Sequence, residues 1–118
     1  MKAVLVISHG SHSAQTVDEI KSLVAKLKKT RPELIIEYAF LEIAIPSIPD
    51  GIRNCITKGA QEVRVVLNFL NAGKHVDVDI PRIVGETQKQ FLNVKMSISK
   101  PVGQHSKIVD LFLDLMAS

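Results

Sequence analysis

The sequence has no tryptophan, few aromatic residues and a single cysteine among its 118 residues. Aromatic residues make up 4% of the chain, which leaves few stacking platforms and disfavours a single-stranded nucleic-acid binder. One cysteine, Cys55, excludes an internal disulfide and favours a reducing, cytoplasmic location. Because Cys55 lies between Ile52 and Ile56 on a predicted helical face, we expect a small buried hydrophobe rather than a metal-binding thiolate.

Strong net charge and long apolar runs are also missing. The balance of 15 Lys and Arg against 12 Asp and Glu gives a net charge of +3, which suits anionic small ligands but is not a nucleic-acid footprint. The apolar run after Lys2 is interrupted at His9-Gly10, so we expect neither a signal peptide nor a membrane span there. The hydrophobic content of 46% is ample for one globular domain over residues 1–118.

Short runs rich in valine and isoleucine alternate with amphipathic segments along the whole chain. This pattern predicts four strand–helix units and an α/β fold. The predicted strands are Lys2–Ser8, Leu34–Leu41, Glu62–Leu70 and Val94–Ser99. The predicted helices follow each strand, and the second and fourth span Pro46–Lys58 and Ser106–Ala117.

Several short motifs predict where these helices begin and end. Thr16-Val17-Asp18-Glu19 is typical of a capping box at the start of the first helix. Arg31-Pro32 ends that helix, and Gly59 ends the second in the C-cap role. Asp79-Ile80-Pro81 starts the third helix, since proline is favoured in a first turn.

The expected fold is a three-layer sandwich, with helices on both faces of a parallel sheet of order 2-1-3-4. This order places the first and third strands side by side at the switch point, where ligands bind at the carboxyl edge. His9 leaves the first strand, His75 follows the third, and Glu42 follows the flanking second strand. We therefore expect His9 and His75 to face one another across one crevice, with Glu42 entering from the side.

Each of these residues also has a plain structural interpretation. His9 alone is equally well explained as a turn residue, and His75 alone as a surface histidine near a helix start. For Glu42 the structural alternative is a carboxylate that caps nearby backbone amides or pairs with a lysine. Two histidines predicted at one crevice make a shared function the better interpretation, whereas His12 and His105 are weaker candidates.

Imidazoles and a carboxylate at one sheet edge suit the insertion of a divalent metal into a tetrapyrrole. Two imidazoles can bind cobalt, nickel or iron and release the ion more easily than thiolates, which bind it more tightly. Two pyrrole N–H protons must also leave, and a histidine or glutamate can accept them as general base. The glycines form neither a dinucleotide-binding fingerprint nor a P-loop.

The chain resembles the small sirohydrochlorin chelatases, which insert cobalt, nickel or iron into sirohydrochlorin. The similarity spans nearly the whole chain in the order of the family's motifs. The matching segments are Ser8-His9-Gly10-Ser11, Ala39-Phe40-Leu41-Glu42, Pro46-Ser47-Ile48, Phe69 to Val76, Asp79-Ile80-Pro81 and Pro101-Val102-Gly103-Gln104-His105.

The resemblance implies a chelatase-like α/β fold and a lyase-type activity. It implies that His9 and His75 bind the metal and assist deprotonation, and that Glu42 is the active-site glutamate. Longer relatives hold two such halves in one chain. A chain of this length is therefore expected to be one half of the two-domain unit and to form a homodimer, with the tetrapyrrole in a cleft between subunits.

Under this interpretation no cofactor is tightly bound, and Co²⁺, Ni²⁺ or Fe²⁺ is a substrate together with sirohydrochlorin. Nucleic acid and membrane are not expected partners. The expected substrate-binding residues are Ser11, His12, Lys74 and His105. Lys74, Arg82 and Lys100 are expected to steer the substrate carboxylates by their charge. Two positions depart from the family pattern, because Ser8 replaces a usual glycine and His12 a usual arginine.

Two other functions use similar residues. A non-catalytic metal or tetrapyrrole carrier needs the same ligands and differs only in lacking turnover. A histidine phosphatase-like enzyme also places His-Gly after its first strand, but it needs an arginine before the histidine to hold phosphate. This chain has Ser8 at that position.

Overall fold

Four parallel strands form one sheet in the computed structural model, which describes residues 1–117 of the chain. The strands are β1 (Lys2–Ser8), β2 (Ile35–Phe40), β3 (Glu62–Leu67) and β4 (Lys95–Pro101). Their spatial order is β2-β1-β3-β4, which confirms the predicted topology. β1 pairs with both β2 and β3, so it is central and almost wholly apolar.

The helices are α1 (Ala14–Thr30), α2 (Ile48–Thr57), α3 (Ile80–Gln88) and α4 (Ile108–Met116). Alternate residues of β1 point to opposite faces of the sheet. Leu5 and Ile7 belong to a large core with α2 and α3, whereas Val6 packs with Val24 of α1 and Ile36 of β2. Helices therefore cover both faces of the sheet, which confirms the predicted three-layer arrangement.

Cys55 is a residue of α2 that belongs to the core and has no solvent-exposed surface. Burial raises the pKa of its thiol to about 12, and the nearby Glu37 carboxylate adds to this rise. Among the described residues, Cys55 does not belong to the group of side chains that could hold a metal ion together. The sequence-based interpretation of a buried hydrophobe is confirmed.

Several predicted element ends differ from those in the structure, including the start of α1 and the end of β3. α1 begins at Ala14, and its N-cap is Ser13, whose Oγ accepts a hydrogen bond from the Thr16 backbone N–H at 3.4 Å. The capping box predicted at Thr16–Glu19 therefore lies inside the helix. β3 ends at Leu67 rather than Leu70, and Leu67 is its last residue paired with β4, opposite Pro101.

The third helical region begins earlier than Asp79. A π-helical segment spans His75–Asp79 and runs directly into α3. The Ile80 N–H donates to the His75 carbonyl, five residues earlier. Pro81 has no N–H, so it cannot donate the hydrogen bond that a residue at this position of an α-helix would make. The wider π-helical turn lies directly before this proline.

Most of the surface of α4 is exposed to solvent. It follows β4 through a 3₁₀ turn at Val102–Gln104, and none of its residues is buried. Its exposed apolar side chains include Phe112, exposed by 58%, and Leu115, exposed by 80%. The prediction of a final helix is confirmed within two residues at each end, but α4 covers neither face of the sheet.

In the part of the chain that the structure describes, none of the helices combines the length and the hydropathy needed to cross a membrane.

Candidate active site

His9, Glu42 and His75 meet at the carboxyl edge of the sheet. Each offers one ligand atom, and these atoms all lie within 4.8 Å of one another. The two imidazole ring centroids are 5.3 Å apart. We call these three residues the His–Glu–His cluster. The structure thus brings together the three residues that the sequence placed at one crevice.

The backbone hydrogen bonds of the sheet continue into the loops that carry His9 and Glu42. The Leu41 N–H donates to the Ser8 carbonyl at 2.9 Å, and the Glu42 N–H donates to the His9 carbonyl at 3.0 Å. These bonds extend the parallel pairing of β1 with β2 past the ends of both strands. These backbone hydrogen bonds fix the positions of His9 and Glu42, so only their side chains remain free to rotate.

Gly10 allows this close approach. It adopts φ +110°, a conformation that disfavours side chains, and an added Cβ would lie far inside van der Waals contact with the Glu42 carbonyl oxygen. Opposite it, Ile43 also has a positive φ, +73°, and the Ala44 N–H donates back to the Glu42 carbonyl at 2.8 Å. A left-handed conformation is costly for a β-branched residue. The chain therefore accepts strain directly beside Glu42.

The His9 ring is oriented from both sides. Its Nε2 lies 2.8 Å from Glu42 Oε1, and its Nδ1 lies 3.2 Å from the Gly10 carbonyl oxygen. Carbonyl and carboxylate oxygens only accept, so each ring nitrogen donates to the oxygen it faces when it carries a proton. His9 and Glu42 form the closest pair of the cluster and share a site where a proton can pass between them.

His75 reaches the cluster from the start of the third helical region and not from the strand end itself. Residues 68–74 form the loop that returns it there after β3. Its Nδ1 lies 2.8 Å from Asp79 Oδ2. We did not predict a role for Asp79 from the sequence, because it was assigned to the helix start. The spacing of four residues between His75 and Asp79 was the available signal, and it depended on predicting the helix from His75 onward.

Two contacts support the loops beneath the cluster. The Asn68 side-chain amide donates to Ser8 Oγ at 3.1 Å, which links the ends of β1 and β3. Ser8 is buried, so its hydroxyl needs such a partner. The Gly103 N–H donates to the Phe69 carbonyl at 3.0 Å, and an added Cβ on Gly103 would overlap the Leu70 backbone. The 3₁₀ turn after β4 thus holds the loop that leads to His75.

The other predicted site residues lie outside the His–Glu–His cluster. Ser11 Oγ accepts from the Ser13 N–H at 3.0 Å and so stabilises the turn before α1. His105 Nδ1 accepts from the Lys107 N–H at 3.0 Å, in the turn that leads into α4. His12 and Lys74 are exposed.

The two further basic residues that the sequence analysis proposed for steering are also exposed. Arg82 Nη1 lies 3.7 Å from Glu86 Oε1, on the surface of α3. Lys100 is exposed near the end of β4. Neither residue belongs to the His–Glu–His cluster. Their role in steering the substrate stays a prediction.

The cluster is open to solvent in a single copy of the chain. The side chains of His9, Glu42 and His75 are 45%, 52% and 49% exposed. A groove of about 680 Å³ lies elsewhere, between α1 and α2, and is lined by residues such as Lys21, Tyr38 and Arg53. None of the cluster residues lines that groove. The site therefore has ligands and orientation but no enclosing wall.

Chemically, two imidazoles and one carboxylate form a set of borderline donors. Such a set suits first-row divalent ions, and its open side leaves coordination positions for water or another ligand. The carboxylate beside His9 also provides a proton acceptor within reach of the metal position. The arrangement combines metal binding with proton transfer at one point.

A family model described as CbiX matches residues 3–118. The chain belongs to the CbiX family. This agrees with the chelatase resemblance inferred from the motifs.

Named relatives of this CbiX chain are chelatases. It is 31% identical over 111 residues to the chloroplastic sirohydrochlorin ferrochelatase of Arabidopsis thaliana, covering 94% of this chain and 49% of that protein. It is also 31% identical over 111 residues to a sirohydrochlorin cobaltochelatase of Sulfolobus acidocaldarius, covering 94% and 86%. The CbiX chain thus spans about half the length of the first relative and most of the second.

Solved structures share the fold. The sirohydrochlorin chelatase SirB from Bacillus subtilis subspecies spizizenii, in complex with cobalt, superposes with a TM-score of 0.87 and 26% identity. The match covers 98% of the CbiX chain and 49% of the SirB chain. The α/β chelatase fold predicted from the sequence is confirmed, and the CbiX chain again corresponds to about half of a longer protein.

Proposed function

We propose that this chain is a sirohydrochlorin chelatase, a lyase that inserts a divalent metal into sirohydrochlorin for a cobalamin- or sirohaem-type pathway. The observation that supports it best is the His–Glu–His cluster, whose ligand atoms lie within 4.8 Å of one another at the ligand-binding edge of the sheet. Family membership and the chelatase names of relatives point to the same reaction.

In the proposed reaction, the ion and the macrocycle meet at the cluster. His9 and His75 hold the divalent ion, and the tetrapyrrole displaces its remaining water. The two pyrrole N–H protons leave to side chains of the cluster and on to water, the ion becomes bound to the four ring nitrogens, and its bonds to His9 and His75 break, so the charge balances. Glu42, 2.8 Å from His9 Nε2, receives a proton or orients the imidazole that does.

Cobalt is the proposed preferred metal, with nickel and iron as further substrates. Relatives are named for cobalt and for iron, and SirB was solved with cobalt. Imidazole and carboxylate donors accept all three ions. The metal therefore arrives as a substrate, and we propose that no cofactor stays tightly bound.

The surroundings of the cluster suit a flat macrocycle with acidic edges. Ile43, Leu70 and Val78 are exposed apolar residues in the loop and π-helical segments that carry Glu42 and His75. An apolar rim of this kind favours the face of a tetrapyrrole over water. Lys74 and His12, both exposed beside the cluster histidines in sequence, are proposed to meet the substrate carboxylates together with Ser11 and His105.

An absorbance assay tests the activity. Purified protein is mixed with sirohydrochlorin and each of Co²⁺, Ni²⁺ and Fe²⁺, and metal insertion is followed against metal-only controls. The proposal expects many turnovers per chain and an initial rate proportional to the protein concentration. Insertion that stops at one equivalent per chain, or runs no faster than the metal-only control, would instead indicate a carrier.

We also propose that the protein is a homodimer in which α4 packs against a second copy. A nine-residue helix is not stable in water without packing, and α4 has no buried residue. The chain exposes 7490 Å², whereas a compact monomer of 13.0 kDa exposes about 6,350 Å². The excess of about 1,100 Å² exceeds the roughly 800 Å² that each partner buries in a standard interface. A second copy is also the simplest source of the wall that the open cluster lacks.

Charged residues on α4 are expected to dissociate this dimer. Phe112→Glu with Leu115→Glu should weaken the dimer about 100-fold or more, because both side chains would carry charge into an apolar interface. Light scattering after size-exclusion chromatography measures the mass. The matched control is Leu92→Glu, which changes an exposed leucine far from α4 in sequence. A wild-type mass equal to the 13.0 kDa monomer at micromolar concentration would contradict the proposal.

Two further parts of the proposal concern organisation and location. Residues 1–118 are proposed to form one chelatase domain, equivalent to one half of a two-domain unit. The match to about half of SirB supports this. A cytoplasmic location is proposed from the single, buried cysteine, since such a chain gains nothing from an oxidising compartment.

A further inference from the structure

Asp79 contacts His75. Unlike His9, His75 is not paired with Glu42. Asp79 Oδ2 lies 2.8 Å from His75 Nδ1. The Asp79 side chain is 21% exposed, against 49% for His75, so the carboxylate sits on the more protected side of the ring. A carboxylate only accepts hydrogen bonds, so the proton of this pair belongs on Nδ1 of His75 when the ring is neutral.

The π-helical segment creates this contact. His75 and Asp79 are its first and last residues, and the Ile80 N–H closes the turn on the His75 carbonyl. Backbone hydrogen bonds therefore hold both residues in one turn, with their side chains on one face. Asp77 lies in the same segment, but it is exposed and is not part of this contact.

We infer that Asp79 is a positioning residue that fixes the tautomer and the orientation of His75. With the proton on Nδ1, the lone pair on Nε2 is free to bind a metal ion. A histidine side chain in water prefers the opposite tautomer, with the proton on Nε2, which blocks that nitrogen as a ligand. A hydrogen-bond acceptor on the far side of the ring is the usual means by which proteins orient metal-binding histidines.

His9 is oriented by different means. Its Nδ1 faces the Gly10 carbonyl at 3.2 Å, a neutral acceptor, and its Nε2 is paired with Glu42. His75 has a charged acceptor at a shorter distance. Charge-assisted hydrogen bonds are shorter and stronger than neutral ones. Asp79 thus makes His75 the better prepared of the two imidazoles to receive an ion.

The inference rests on the proposed function for its purpose, but its first test needs no metal and no activity. Nitrogen NMR of the metal-free protein, at alkaline pH where imidazoles are neutral, distinguishes the two tautomers of His75. Wild type is expected to show the Nδ1–H form. Asp79→Asn should keep it, because an amide oxygen still accepts the hydrogen bond from Nδ1–H, whereas Asp79→Ala should shift His75 toward the Nε2–H form.

The second readout is the affinity for Co²⁺, measured by calorimetry on the same proteins. Asp79→Ala should weaken binding about 10-fold or more, and Asp79→Asn should recover most of that loss. The matched control, Asp77→Ala, alters the same helical segment and should keep both the tautomer and the affinity. A His75 that stays in the Nδ1–H form in Asp79→Ala, or an equal loss of affinity in Asp77→Ala, would overturn the inference. Neither result would bear on turnover, so the chelatase proposal is judged separately.

Discussion

Replacement of His9 and His75 together by alanine is expected to reduce metal insertion to the rate of the metal-only control. Both imidazoles belong to the His–Glu–His cluster, and removing them leaves Glu42 as its only ligand. Each single variant should lower the rate by about 100-fold or more, the usual contribution of one positioned acid–base group. The initial rate of insertion at saturating metal measures the loss.

The double variant should fold normally. Both side chains are about half exposed, at 45% and 49%, and neither belongs to the hydrophobic core. The free energy of unfolding should therefore change by less than about 1 kcal/mol, as is usual for surface positions. His12→Ala, compared by its affinity for Co²⁺ and not by its insertion rate, is the control for metal binding, because His12 lies outside the cluster but is a proposed substrate contact. Full activity in the double variant, with native circular dichroism, would reject the site.

The second large effect is expected from Gly10→Ala. A Cβ at this position overlaps the Glu42 carbonyl oxygen, and φ +110° is unfavourable for alanine. We expect a loss of about 2–4 kcal/mol in the free energy of unfolding, from a forced left-handed residue together with a displaced backbone. The loops of His9 and Glu42 must separate to admit the methyl group. Metal affinity and insertion rate should therefore fall even at temperatures where the variant is folded.

Gly85→Ala is the matched control for this substitution. An added Cβ at Gly85 meets nothing within 4 Å, and the residue lies within α3. Alanine should therefore stabilise the helix by about 0.5–1 kcal/mol. Urea unfolding followed by circular dichroism compares the two variants. If Gly10→Ala were as stable and as active as wild type, the two loops would not be held together as described.

The fold was largely predictable from local signals. β1 is a short, almost wholly apolar run that ends at a polar turn, as expected of a strand buried on both faces, whereas the edge strand β4 is partly polar and mostly exposed or half-buried. Alternation with amphipathic segments then leaves few topologies, of which 2-1-3-4 is the simplest. His9 and Glu42 were predictable for the same reason, since they directly follow paired strands and their position needs no knowledge of loops.

The remaining features depend on contacts that local patterns do not contain. The π-helical segment at His75–Asp79 resembles a turn followed by a helix start in sequence, so the His75–Asp79 pair was missed. Ser13 competes with Thr16 as N-cap, and the preceding turn decides between them. The last helix carries apolar residues on most of its surface, a pattern that predicts a helix buried in the core. Its exposure follows from tertiary packing, which periodicity does not report.

The central claim is that one divalent ion binds between His9, Glu42 and His75, and a crystal of the protein grown with Co²⁺ tests it directly. Anomalous diffraction at the cobalt absorption edge locates the ion without reference to any assumed site. We predict one strong peak per chain, within bonding distance of the Nε2 atom of each histidine and of a Glu42 oxygen. A strong cobalt peak elsewhere, with the cluster side chains unbound to metal, would contradict the account.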